Sequence, residues 1–279
     1  MRALTLIAFV PFALGQLDML NLDCTNYPGP CNNDCYAAME ELPASGEDLG
    51  ADFCSQTLNY NGPDGQSNSR RRAAGCVSPS PCGNGKLPTQ SSDENTCDEY
   101  PYASTVEGGS GSILRCTSDD ENSAEGSDLS AFFNSVCGYE PCTFEITFGN
   151  PGGGSTPYCL DGGGANDGYQ YQYQGNGNYQ LYNRDSNVTN EGRWGLHQPD
   201  PAHYFPPHLR REFLLEDGSR TVLSTRDQTT SYQNATFHTV RNGTVIKHRA
   251  VKELLGSAKS PELQHPALRA SKRAVQFAS

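Results

Sequence analysis

The 279-residue chain has no histidine before His197 and no cysteine after Cys159. The first absence excludes a Ser-His or Cys-His couple, and an all-histidine zinc site, from the cysteine-bearing part of the chain. An enzyme built there must draw its base and metal ligands from carboxylates. The second absence confines Cys24, Cys31, Cys35, Cys54, Cys76, Cys82, Cys97, Cys116, Cys137, Cys142 and Cys159 to one stretch, as a disulfide framework formed in an oxidising compartment would. Eleven is odd, so one thiol is left over or pairs elsewhere, and spacing does not give the connectivity. Long apolar runs are also missing: after the N-terminus nothing approaches the roughly 20 residues a membrane helix needs. With 35% hydrophobic residues, 29 glycines and 18 prolines, the expectation is one compact domain with loose flanks. Positive charge is scarce too. Between Ser92 and Asn150 stand twelve Asp/Glu and one basic residue, Arg115, and the whole chain carries −12. A protein so acidic is no general binder of nucleic acid.

The organisation follows from composition. Met1-Arg2, the apolar run Leu4–Leu14 and Ala13-Leu14-Gly15 read as a secretory signal over 1–15, giving an exported product without a membrane anchor. Residues 16–75 form a loop-rich, cysteine-rich region with one short helix expected over Cys35–Leu42 and a basic cluster, Arg70-Arg71-Arg72. That cluster suits a solvated loop, a processing site or a phosphate contact. Residues 76–150 form the ordered unit. Ser112–Thr117 has strand character, and Ser118-x-x-Glu121 is a capping box. Leu129, Phe132, Phe133 and Val136 then keep the spacing of an amphipathic helix, and Thr143–Phe148 alternates as a strand. Residues 151–180 read as a Gly/Tyr/Gln-rich linker. Residues 181–279 read as a flexible, partly β extension with hairpins at Asp217-Gly218 and Asn242-Gly243, a basic tail, and glycosylation acceptors at Asn187, Asn234 and Asn242.

The chemistry concentrates in Cys97-Asp98-Glu99-Tyr100-Pro101-Tyr102-Ala103-Ser104-Thr105, with Glu107-Gly108-Gly109 and then Asp119-Asp120-Glu121-Asn122 at a helix start. Two acidic clusters flanking one strand suit a divalent cation, since magnesium takes one or two carboxylates plus water and substrate phosphate oxygens. Such a site would hydrolyse phosphodiesters, a carboxylate taking a proton from water and Arg115 holding the phosphate. A solvated acidic surface has the same composition.

In their order these motifs resemble the NucA/NucB family of secreted deoxyribonucleases, over about residues 76–150. The resemblance implies an α+β fold: a small disulfide-bonded ββα-metal-like core in which an acidic residue replaces the histidine base. Asp98 or Glu99 would then be the base, Glu121 and Asn122 would hold the metal, Glu107 would line the site, and Arg70, Arg71 and Arg72 would contact DNA. The implied cofactor is Mg²⁺ or Mn²⁺. An alternative role for Glu121 is the capping box alone, and Glu107 could equally be an ordinary loop carboxylate. The competing reading is a non-catalytic secreted binding or cell-wall-associated protein.

Overall fold

The computed structural model describes residues 18–38, 57–151, 156–161, 166–182, 210–224, 232 and 235–254. The signal segment, Cys54, Asn187, Asn234 and the tail beyond Leu254 lie outside the described residues. Along the chain come β1 (Asp18–Asp23), α1 (Pro28–Ala38), β2 (Thr57–Tyr60), α2 (Ser67–Ala74), β3 (Thr96–Tyr100), β4 (Ile113–Thr117), α3 (Asp119–Ser135) and β5 (Cys142–Gly149). Then follow α4 (Pro157–Asp161), β6 (Tyr171–Gly175), β7 (Asn178–Leu181), β8 (Arg210–Leu215), β9 (Arg220–Ser224), β10 (Thr236–Arg241) and β11 (Thr244–Leu254).

The expected α+β, ββα-metal-like core is corrected by this arrangement, which is mostly strand. Strands β1-β10-β11-β8-β9-β5 run in hydrogen-bonded order, and the β1–β5 pairing closes them into a six-stranded barrel. The C-terminal segment expected as a flexible extension therefore supplies four of the barrel strands. Its hairpins sit at the expected turns. Asn242 and Gly243 both adopt positive φ, the conformation a tight hairpin turn requires. A second sheet, β3-β4-β6-β7, stands apart from the barrel. Its outer hairpin comes from the tract expected as a linker, which turns at Asn176-Gly177 and packs Tyr173 and Tyr179 against a disulfide-rich cluster.

Strand β1 lies between two parallel neighbours and is buried on both faces. Met19 joins Phe213, Leu215, Leu223 and Phe237 in the barrel core. Leu20 and Leu22 face the other way, joining Phe144, Ile146 and Phe148 of β5 and Phe132 of α3. Each such buried side chain contributes roughly 1.5–3 kcal/mol. Among the barrel residues Asn21 is the polar hub. Its Nδ2 donates to Thr239 Oγ1 at 2.9 Å, and its Oδ1 accepts from Thr221 Oγ1 at 2.7 Å and Thr147 Oγ1 at 3.3 Å. Three strands are thereby tied to a fourth, and no polar atom of that amide is stranded.

Helix α1 begins seven residues before the expected Cys35 start. Pro28 and Pro30 read as turn residues, yet a helix tolerates proline in its first turn, where the missing N–H has no partner anyway. Five disulfides pair ten cysteines: 24–31, 35–159, 76–97, 82–116 and 137–142. The 35–159 bridge ties α1 to α4 across 124 residues of sequence. Replacing both of its cysteines with serine is expected to lower the unfolding free energy by about 2–4 kcal/mol, measured by denaturant titration of the oxidised protein.

Candidate active site

Strand β3 and helix α3 gather the acidic side chains. Adjacent residues of a strand point to opposite faces, and Asp98 and Glu99 divide accordingly. Asp98 turns to α1 and α3. Its Oδ2 accepts from Asn33 Nδ2 at 3.0 Å, and the same amide donates to Ile113 O at 3.3 Å. Glu125 of α3 lies in hydrogen-bonding contact with both Asp98 and Asp34, whose Oδ2 also accepts from the Tyr102 hydroxyl. Glu99 turns to α2 and accepts from Arg71 Nε at 3.2 Å. Asp98, Glu99, Glu125, Asn122 and Arg71 all line a cavity of about 370 Å³, which Tyr60, Phe133 and Tyr139 complete.

Burial dominates the electrostatics. It pushes Asp98 up to about 6, opposed by the hydrogen bonds from Asn33 and Glu125. Burial likewise raises Glu99 to about 7, against the Arg71 cation, with the Asp98 charge adding to the rise. Glu125 is held well above the carboxylate range by burial and then by the charges of Asp34 and Asp98. Asp34 is raised by burial and then by Asp98. A proton kept on Glu125 turns one of its carboxylate contacts into a hydrogen bond.

The donor set also fits a hard divalent cation. Asn33 Oδ1, Asp34 Oδ1 and Glu125 Oε1 are buried oxygens with no donor. The carboxylates of Asp98 and Glu125, with the Asn122 amide, meet at one cavity. Another group, Cys76, Cys97 and Glu99, has ligand atoms within 4.8 Å of one another. Its sulfurs are bonded together as a disulfide, so it offers a single carboxylate.

Other residues singled out by sequence have different partners. Glu121 Oε2 accepts from Gly29 N at 2.8 Å, and its own N–H is capped by Ser118 Oγ at 3.3 Å. It joins α3 to the start of α1 and does not line the cavity. Glu107 accepts from the Asn59 backbone at 3.1 Å and side chain at 2.6 Å, fastening β2. The glycine after it is steric: a Cβ on Gly108 would lie 2.0 Å from Tyr102 O. The Glu-Gly-Gly loop thus packs beneath the site. Arg115 sits opposite Asp98 across the β3–β4 ladder but is buried and paired with Asp167 at 3.1 Å. Arg70 is paired with Asp64 at 2.6 Å, Arg71 reaches the cavity, and Arg72 is exposed on α2.

The cavity is lined by carboxylates and by Arg71 of α2, with no histidine in its lining. A family model described as Deoxyribonuclease NucA/NucB matches residues 50–140. This segment belongs to the NucA/NucB family. No curated protein and no solved structure matches the chain. The matched segment carries β2, α2, β3, β4 and α3, and the family is described as deoxyribonucleases. Asn33 and Asp34 lie outside the segment, on α1, where no periodicity marks them. Glu125 lies inside it and had a sequence signal. It stands four and seven residues before Leu129 and Phe132, so it heads the core-facing stripe of α3.

Because the native state holds these carboxylic protons more tightly than the unfolded chain, their contribution to stability is complete below about pH 4. It is lost as pH rises through about 6 for Asp98 and about 7 for Glu99. In chelator, the melting temperature should fall across that window. Glu125→Gln should flatten the fall and raise the neutral-pH value, read by differential scanning calorimetry; a wild-type melting temperature that climbs from pH 4 to 7 would contradict the assignment.

Proposed function

We propose that this protein is a secreted, divalent-metal-dependent endonuclease that hydrolyses phosphodiester bonds of extracellular DNA. The observation that carries the reading is the convergence of Asp98, Glu99 and Glu125 on one cavity reached by Arg71, in a region without histidine. Asp98 is the general base. Asn33 holds its carboxylate from behind, and a pKa of about 6 leaves it ionised yet basic at neutral pH. Glu99 is the weaker candidate, since its carboxylate is engaged by Arg71.

Glu125 and Asn122, three residues apart on one face of α3, would hold Mg²⁺ or Mn²⁺. When bound, the cation supplies stabilisation of the charge that builds on the phosphate and departing oxygen. Arg71, with a side chain 59% exposed, is placed to contact the phosphate, while Arg72 extends the positive surface of α2. Arg70 braces the α2 entry through Asp64 and Ala103 O. Arg115 is a positioning residue whose charge favours the ionised form of Asp98 from across the ladder.

Five disulfides suit an oxidising destination. No helix among the described residues is long and apolar enough to cross a membrane.

Cleavage of plasmid and of a single-stranded oligodeoxynucleotide by oxidised protein, with Mg²⁺, Mn²⁺ or chelator, tests the proposal. Asp98→Asn should lower kcat by on the order of 10²–10⁴, and Glu125→Gln should abolish the metal response. Glu121→Gln and Glu107→Gln should keep most of the activity. A folded wild type that cuts under none of these conditions would sink the nuclease reading; full activity in Asp98→Asn would reassign the base.

A further inference from the structure

Four non-glycine residues among those described have clearly positive φ: Asn150, Asn176, Asn242 and Tyr139. Asparagine tolerates that region, but a bulky aromatic there is a genuine outlier. Tyr139 (φ 60°) follows Gly138 (φ 63°) at the end of α3, in a turn closed by the Cys137–Cys142 disulfide. Its N–H donates to Phe133 O at 2.9 Å, so the conformation is fastened to the helix. Yet the side chain is 44% exposed, one of three large hydrophobic residues so displayed among those described. Its ring does not fill a core.

The displayed ring stands where two cavities meet. One is the acidic cleft, whose aromatic lining includes Tyr60 stacked on Phe133 at 4.0 Å and 4°. The other is a shallow cavity of about 560 Å³ running along α3 past Ser123, Ser127 and Asn134. Both are lined by Gly126, Ser130 and Tyr139. A side chain at Gly126 would meet nothing within 4 Å, so this glycine leaves open surface where the cavities join. The α3 surface of the second cavity carries hydroxyls and an amide but no charge.

Building on the nuclease reading above, we infer that the two cavities form one track for an unpaired DNA strand. Tyr139 stacks a base beside the phosphate being cut. Stacking on a tyrosine face is tolerant of sequence, because every base has a π face. It also demands an unpaired base, since a base inside a duplex already has neighbours on both faces. The neutral Ser/Asn surface then lets the next nucleotides pass without a sequence code, while Arg71 meets the backbone at the cleft.

The test is fluorescence anisotropy with a labelled single-stranded oligodeoxynucleotide, an abasic strand of equal length, and a duplex. It is run in Mg²⁺ on the Asp98→Asn background so that the strand survives. Tyr139→Gly should weaken binding of the ordinary strand about tenfold or more, the loss of one base stack. It should leave the abasic strand unchanged, and Tyr139→Phe should bind like the parent. The melting temperature of Tyr139→Gly should equal or exceed the parent's, because glycine relaxes the positive φ; a purely structural tyrosine would lower it. Equal binding of the ordinary strand by Tyr139→Gly and parent, equal losses on ordinary and abasic strands, a lowered melting temperature, or no binding of single strands by the parent would each overturn the inference. Metal-dependent cutting of either plasmid or single-stranded oligodeoxynucleotide by wild type judges the nuclease reading separately, so either can fail alone.

Discussion

Three carboxylates buried against one another, Asp34, Asp98 and Glu125, are the condition to which the surrounding structure answers. Charges taken out of water and set side by side repel, and the interior does little to screen them. The arrangement persists because each is gripped by something rigid. Asn33 and Tyr102 donate to two of them. Helix α1, which carries Asn33 and Asp34, is stapled at both ends by the 24–31 and 35–159 disulfides. Helix α3, which carries Glu125, is capped by Ser118 and joined to α1 through Glu121 and Gly29. A site kept ready for a cation or a proton is thus maintained by covalent bridges and helix-end contacts at its periphery.

The barrel is the platform for that site. Its outer face, through Leu20, Leu22, Phe144, Ile146 and Phe148, packs in one core with α1 and α3 residues such as Tyr36 and Phe132. The family-matched segment carries the cavity-lining carboxylates Asp98, Glu99 and Glu125, while β1, β5 and the four C-terminal strands lie outside it and pack against the helices around them. Other motif residues make bracing contacts around the cavity. Glu107 fastens β2, Gly108 allows two backbone segments to touch, and Arg115 stands behind Asp98 with Asp167 as its counter-ion.

Local periodicity made several elements legible. Leu129, Phe132 and Phe133 on α3, Phe144, Ile146 and Phe148 on β5, and the turns at Asp217-Gly218 and Asn242-Gly243 all stand where spacing and turn chemistry place them. Helix α1 was not legible at its true start, because Pro-Gly-Pro signals a turn and its buried face includes Asn32, Asn33 and Asp34 instead of an apolar stripe. The β6–β7 hairpin was hidden by low-complexity composition, although Asn176-Gly177 between alternating tyrosines carries a hairpin signal. The expectation of a ββα-metal-like core failed for a different reason. The hairpin β3–β4 and helix α3 do follow one another, but strand pairing across more than 200 residues embeds them in a mostly β molecule.

From the residues alone came the kind of chemistry open to this chain. Absent histidine forces the work onto carboxylates, clustered cysteines call for oxidation, and the ordered motifs point to one nuclease family. Which carboxylates share a cavity was decided only in three dimensions. Asp98 and Glu121 look equally suited as neighbours of a metal in the linear chain. One faces a cavity with Glu125, and the other accepts a hydrogen bond from Gly29. That difference is set by burial and by partners such as Asn33, 65 residues from Asp98. Contacts of that range depend on how strands close and helices dock, and no local pattern encodes them.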